Sequence, residues 1–443
     1  MSRVNRWALM GLALGMAPAM AQSVDNASAS SVEWKHKWLV QAGYGPEDRA
    51  LGGDRGDFYS AGYEPSMTWS SPDTRWPVWQ GFLRGALTWS SQATASGLST
   101  EGETQGDDGR AELREFYLRR NLINDDPGLS VTVGRQRYTD RLGLWWDTSL
   151  ESVRLDMSRA QGRGFLAIGQ RLYTYSSEGN RLLPGDESIA YAFGEYAYLV
   201  GASQWLGARA LYEYDYSDAQ EPGDAEDLRG WRGGVFWSAD AQPQWPMDHL
   251  IEVVALGGKV ETVAGEHSVT GWAVVGEAGY RFEETFWRPR LALRAAITDR
   301  PEDAQEGFRL NRLQSDKMAL PGTYTGGLAG NVVDMDVRNL MLVGLVLETQ
   351  PTPRSYADIK VLDLYRRNAD GVIPLNLAPE NRVSPAKSLG QVLDVSYYWQ
   401  MFPRAVQGRQ VNLNLLVNAA YFRAGDAVEE DDVQASVSVD LRY

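Results

Sequence analysis

Five charged side chains sit at or near the ends of short alternating segments between Arg114 and Glu178. Arg114 opens REFYLRRN, Arg137 closes the basic pair of VTVGRQRY, and Asp147 follows two tryptophans in LGLWWDTSLES. Arg171 and Glu178 belong to AIGQRLYTYSSE. Acids and bases spaced in this way offer two kinds of chemistry, acid–base catalysis or electrostatic attraction of a charged ligand. Catalysis finds little else to work with. The histidines are His36, His249 and His267, far apart in sequence. There is no Gly-x-Ser-x-Gly elbow, no metal-spaced His pair and no phosphate loop. A two-carboxylate glycosidase or lyase needs only a pair of acids, but with 58 acidic residues in the chain a pair carries little information. We therefore expect no enzyme.

The elements that must carry these charges are strands. Eighteen segments show period-two patterning, separated by Gly, Asp, Asn and Pro clusters: 33–43, 57–69, 76–90, 111–119, 128–138, 150–158, 163–175, 188–200, 205–215, 228–239, 247–260, 269–281, 288–298, 337–349, 356–368, 389–402, 409–422 and 431–443. In the last, Val433, Ala435, Val437, Val439, Leu441 and Tyr443 share one face and Gln434, Ser436, Ser438, Asp440 and Arg442 the other. Ending on an aromatic strand is common in outer-membrane barrels. The pattern predicts an all-β chain, a transmembrane antiparallel up-and-down barrel of about eighteen strands, in preference to a soluble sandwich. Sixteen tryptophans and 21 tyrosines fit aromatic girdles, and a mean hydropathy of −0.37 fits strands with only one lipid face. Trp145, Trp146, Trp205, Trp231, Trp237, Trp272, Trp287 and Trp399 lie near strand ends, where a girdle explains most of them and sugar stacking one or two.

The compartment follows from the first residues. MSRVNR is basic, WALMGLALGMAP is apolar and Ala19-Met20-Ala21 is a small-x-small cleavage site. Residues 1–21 read as a secretory signal peptide, because the apolar run is shorter than the ~20 residues of a spanning helix. Residues 22–443 then form one barrel in the outer membrane. Cysteine is absent, which removes disulfide scaffolds and thiolate metal sites, and a net charge of −15 argues against nucleic acid. The two longest connections, near 91–110 and 299–336, follow odd-numbered strands and fall on the extracellular side if the N-terminus is periplasmic. No cofactor is implied, although the Asp107–Asp108 loop has oxygen ligands suited to calcium.

Alternation also sorts the cations. In 288–298, Leu291, Leu293, Ala295 and Ile297 face one way, so Arg290 and Arg294 face the other. In 163–175, Leu166, Ile168 and Leu172 oppose Arg163 and Arg171. A basic side chain at mid-bilayer costs about 2–4 kcal/mol, so these faces should be luminal. Strict alternation from Val131 and Val133 instead sends Arg135 and Arg137 outward, unless the lipid belt ends there or a bulge at Gly134 shifts the register. For any single arginine a wall salt bridge competes evenly with a substrate contact. As a set they suggest a positive conduit that would draw in an anionic polymer.

The REF, GRQR, W-x-D and QR segments, with FRLNRLQSD and the YFRAGDA turn (421–427), resemble the bacterial alginate export family. That resemblance is firmest over Arg114–Ser217. It implies an eighteen-stranded barrel with an arginine-rich constriction set among a few carboxylates. It places the family's constriction residues on Arg114, Arg137, Asp147, Glu178 and, in the long loop, Arg312. It implies an anionic polysaccharide such as alginate as cargo, outer-membrane lipid around the wall and periplasmic scaffold proteins as partners. The chain also departs from the pattern. A family acid reads as Thr174, a first-hairpin arginine as Glu64, and two arginines before the AGD turn as Leu416 and Asn418. A second long-loop arginine has only Lys317 nearby. The family's long plug between the sixteenth and seventeenth strands is reduced to FPRAVQGR. Fewer cations would weaken selection for a polyanion. The alternatives are a porin for small anionic sugars or organic acids, and a structural or adhesive barrel.

Overall fold

The computed structural model describes residues 30–443 outside 47–50, 52–55, 73–75, 92–108, 124–125, 141–143, 178–180, 183, 218–223, 225, 302–305, 311–312, 314–327, 331–332, 334–336, 376, 378–384 and 407–408. The signal segment, Glu178, Arg312, Lys317 and the Asp107–Asp108 pair therefore lie outside the described residues. The strands are β1 (Ser31–Tyr44), β2 (Phe58–Ser70), β3 (Trp79–Ser90), β4 (Gly109–Ile123), β5 (Asp126–Thr139), β6 (Asp147–Arg159), β7 (Gly162–Gln170), β8 (Ile189–Leu199) and β9 (Gln204–Asp215). The second half holds β10 (Asp227–Ala239), β11 (Met247–Thr262), β12 (Gly265–Arg281), β13 (Arg290–Thr298), β14 (Leu340–Thr352), β15 (Ser355–Arg366), β16 (Ser388–Val406), β17 (Arg409–Ala424) and β18 (Asp432–Arg442). Each pairs antiparallel with its sequence neighbours, and β1 pairs with β18. The eighteen-stranded sheet is thus a closed up-and-down barrel, as the spacing of turn residues predicts.

The last residue extends the closing seam. Beyond the ladder that sets Lys37 opposite Arg442, Tyr443 and His36 exchange two backbone hydrogen bonds of 2.9 and 3.1 Å. Their rings stack at 4.9 Å between centroids. Connections after even-numbered strands are short turns, such as 160–161 and 353–354, whereas the long segments 299–339 and 367–387 follow odd-numbered strands. One end of the barrel is therefore a short-turn end and the other a long-loop end.

The alternation has the expected polarity. Leu166, Ile168, Leu291, Leu293, Val437 and Val439 lie exposed on the outer face. Arg290, Arg294, Glu277, Asp358, Lys360, Asp394 and Asp440 are buried on the inner one. One predicted span breaks early. Strand 163–175 ends at Gln170, because residues 175–177 leave their own hairpin and pair elsewhere. Trp145 and Trp146 correct a second expectation. They are 0 and 2 % exposed inside the barrel and belong to no girdle. Trp231, Trp237, Trp272, Trp287 and Trp399 are exposed.

Deleting Tyr443 removes both terminal hydrogen bonds and the ring stack at the β1–β18 seam. The folded, heat-modifiable band should then be lost at a lower temperature than in the intact chain, measured by gel mobility after stepwise heating.

Candidate functional site

A strand that leaves the wall brings the predicted charges together. The β4–β5 ladder stops at Phe116 opposite Arg135. Next to that last pair stands Gly134, at φ +127°, where an added Cβ would sit 2.3 Å from the Phe116 carbonyl oxygen. Only glycine tolerates both the backbone angle and the approach. Past this point β5 keeps its pairing with β6 as far as Thr139 opposite Asp147, but β4 takes a new partner. The Leu113 N–H donates to the Tyr175 carbonyl (3.0 Å) and the Ser177 N–H to the Ala111 carbonyl (2.9 Å). Residues 175–177 thus occupy the edge that the β5–β6 hairpin vacates.

The hairpin end crosses the lumen. The Trp145 indole N–H donates to Glu252 Oε1 of β11 at 2.5 Å, and the ring lies so close to Gly234 of β10 that a Cβ there would come within 2.7 Å. Arg232 of β10 donates to the Leu144 carbonyl at 2.9 Å and to the Arg309 carbonyl at 2.5 Å. Its guanidinium also stacks 5.0 Å from the Phe308 ring. The Asp147 N–H donates to the Leu313 carbonyl at 2.8 Å. Residues 144–147 and, from the long loop, Phe308, Arg309 and Leu313 are therefore tied to each other and to the inner faces of β10 and β11. Behind the hairpin, Tyr138, Trp146, Phe165 and Phe193 pack ring on ring at 4.7–5.9 Å. Asp299 flanks the second segment beyond the end of β13. Burial holds its carboxyl above the usual range, against the opposing hydrogen bond from the Phe308 N–H.

The inward turn resolves Arg135 and Arg137. No bulge shifts the register at Gly134, and alternation holds. Both arginines occupy the face away from Tyr138, but that face is covered by the chain that follows β7 rather than by lipid. Arg135 donates to Glu151 (2.9 Å) and to the Tyr173 carbonyl (3.2 Å). Arg137 pairs with Asp147 at 2.6 Å. Arg171 joins the same hairpin through Thr148 (3.0 Å) and also pairs with Asp186 (3.2 Å). Arg114 reaches the lumen by another device. The β3–β4 register shifts between Arg84 and Gly85, so Arg114 is the extra residue of a bulge, which re-aims its side chain. It meets Glu64 at 2.5 Å and Glu112 at 3.2 Å, and its backbone carbonyl accepts from Arg135 (3.2 Å).

Arg290 and Arg294 face inward as alternation predicts, but halfway round the ring from β4. They share Glu277, at 2.8 and 2.7 Å. Arg290 also pairs with Asp248 and Glu348, in room left by Gly279, whose absent Cβ would lie 2.6–2.7 Å from the guanidinium. Leu416 and Asn418 stand opposite the inward Ser438 and Ser436, so neither position supplies a cation to that sector of the wall.

A model of the alginate export family matches residues 77–439. The alginate production protein AlgE of Pseudomonas syringae pv. tomato is 30% identical over 435 residues, covering 88% of this chain and 86% of that protein. The chain belongs to the alginate export family. AlgE of Pseudomonas aeruginosa is 22% identical over 163 residues, 34% of this chain and 33% of its own. Among solved structures, OccK8 (OprE) of P. aeruginosa superposes with a TM-score of 0.59 at 10% identity, over 94% of this chain and 98% of its own. OpdK of the same organism, solved with vanillate, gives 0.56 at 12%, over 93% and 99%. These two share the fold.

Membership in the alginate export family makes the chain an outer-membrane barrel of a transport-channel family, and it brings the scattered motifs into one frame. The REF, GRQR, W-x-D and QR segments are the bulge of β4, the inward part of β5, the start of β6 and the exit from β7. Sequence reasoning missed their partners. Glu112, Glu151, Glu252, Arg209 and Arg232 become part of the site only through strand register and through a loop that crosses the lumen. Arg209 is one example, bonded to Glu252 at 2.9 Å and Glu195 at 2.9 Å. For Arg209, Arg232 and Glu252 the signal available was the alternation of β9 to β11, which already faces them inward.

Trp145 is the strut of this arrangement. Trp145→Ala should cost about 3–5 kcal/mol of stability and raise the single-channel conductance of purified protein in a planar bilayer, because the loop loses its anchor on β11. Unchanged conductance would place residues 144–146 outside the conducting path.

Proposed function

We propose that this barrel is a passive outer-membrane pore that carries an anionic exopolysaccharide of the alginate type to the cell surface. The carrying observation is the constriction. Inside the barrel a hairpin end reaches from β5 and β6 to β10 and β11, and Arg114, Arg137, Asp147 and Arg171 stand on or beside it. Glu178 and Arg312 extend that group by family resemblance, and Arg290 and Arg294 supply cations on the opposite wall. Residues 1–21 act as a cleaved signal peptide. The long-loop end, including 91–110 and 299–336, faces outside and the short-turn end faces the periplasm, where scaffold proteins of a secretion complex would deliver the chain. The exposed outer rows meet lipid.

One observation favours a second reading, a porin for small anionic sugars or organic acids. Glu64 stands where the family resemblance expects a cation, and it pairs with both Lys37 (3.2 Å) and Arg114 (2.5 Å). Each inward acid beside a cation weakens the field that gathers a polyanion. The two readings part on polymer length. A long polyuronate should partly block the current of an exporter, whereas a small-solute porin should respond to the monomer alone.

Glu64→Gln keeps the shape of the side chain and removes its charge. The zero-current potential under a salt gradient should move toward greater anion preference, by roughly two- to threefold in permeability ratio. An unchanged potential would place Glu64 outside the ion path.

A further inference from the structure

The constriction cations share one property. Arg114, Arg137, Arg171, Arg290 and Arg294 are each matched by a carboxylate at bonding distance. Arg163 is different. It lies at the start of β7, beside the 160–161 turn, and is exposed. Register fixes its direction. It stands opposite Ala197, which is buried on the inner face, while Leu166 and Ile168 take the outer one. Among the described residues Arg163 makes no ion pair. Its guanidinium instead lies 4.2 Å from the ring of Trp205, which packs at the edge of the interior aromatic cluster. An indole holds the guanidinium plane without cancelling its charge, so the N–H fork remains presented to the lumen.

A second stacked cation stands above it on the same wall. Arg154 is opposite Ala167, four residues further along β7, or about 13 Å at ~3.3 Å per residue. Its guanidinium lies 4.2 Å from Phe165 and 5.3 Å from Tyr138. Its one carboxylate partner among the described residues is Asp156, at 2.7 Å. Two strands across, Arg119 faces Thr132, which faces Arg154. Arg119 donates to Ser130 Oγ at 3.1 Å and to the Pro127 carbonyl at 3.4 Å, with no acid among its described partners.

We propose that Arg163, backed by Trp205, is a docking site for a carboxylated sugar unit at the short-turn mouth, with Arg154 as the next foothold toward the constriction. A planar guanidinium accepts a uronate carboxylate through two parallel hydrogen bonds, which a neutral sugar does not offer. The exposed position gives rapid capture and release, as a conduit requires, whereas the matched arginines above shape the channel. This site rests on the reading of the barrel as a polyuronate pore.

The test is single-channel recording with a mannuronate hexamer added on the short-turn side, and a neutral glucose hexamer as control. Folded state is verified by heat-modifiable mobility. Arg163→Gln should lower the blocking association rate of the uronate hexamer about fivefold or more and leave that of the neutral hexamer unchanged. Arg163→Lys, which keeps the charge and loses the fork, should fall between. Trp205→Leu should approach Arg163→Gln, because the guanidinium loses its support. Block of the unsubstituted pore that persists unchanged in Arg163→Gln overturns the site while leaving the export reading intact. No block of the unsubstituted pore by the hexamer or by longer polyuronate removes the export reading, and this site with it.

Discussion

A strand that spans a bilayer must place every backbone N–H and C=O on a neighbouring strand, because the surroundings supply no other partner. This one requirement governs the molecule. It forces β1 onto β18, makes Tyr443 a structural residue and fixes which side of each strand faces inward. It also sets the condition for a constriction. A hairpin can leave the wall only if something else satisfies the edge it abandons. Residues 175–177 meet that condition for β4, and the β5–β6 hairpin is released into the lumen as a result.

Once inside, the hairpin creates the opposite problem. Trp145, Leu144 and Asp147 bring polar groups into a partly dry interior, where an unmatched group costs free energy. Glu252, Arg232 and the Leu313 carbonyl meet them one by one. Arg209 then balances Glu252, and Glu195 balances Arg209. The inner wall is therefore a linked set of ion pairs. Breaking such a buried pair by removing one member costs about 3–5 kcal/mol. Charge at the constriction is bound up with stability there, and the lumen can tune its attraction for anions more freely where side chains are exposed, near the short-turn end.

The architecture was legible in the sequence because the signal is local. Alternation in segments such as 431–443, punctuated by turn residues, set the strand number and located every strand. The inward direction of Arg290 and Arg294 followed from the same rule. The site was legible only as a list of motifs. Arg137 illustrates why. Alternation placed it on the outer face correctly, yet its environment depends on Gly134, where β5 turns away from β4, and on residues 62 positions beyond Leu113 that close behind it. Trp145 and Trp146 looked like interface aromatics because a tryptophan near a strand end fits either a girdle or a lumen. The bulge at Arg114 and its pairing with Glu64 were equally out of reach, since both depend on the register between neighbouring strands.

The patch made by residues 175–177 also makes two placements of the hairpin mutually exclusive. Its residues cover the edge of β4 that β5 leaves beyond Phe116. Once the patch is hydrogen-bonded, the hairpin is shut on the inner side and cannot rejoin β4 without unzipping it. A return of the hairpin to the wall would have to break the backbone hydrogen bonds that join Leu113 to Tyr175 and Ser177 to Ala111, whereas side chains and loop tips can shift without touching them.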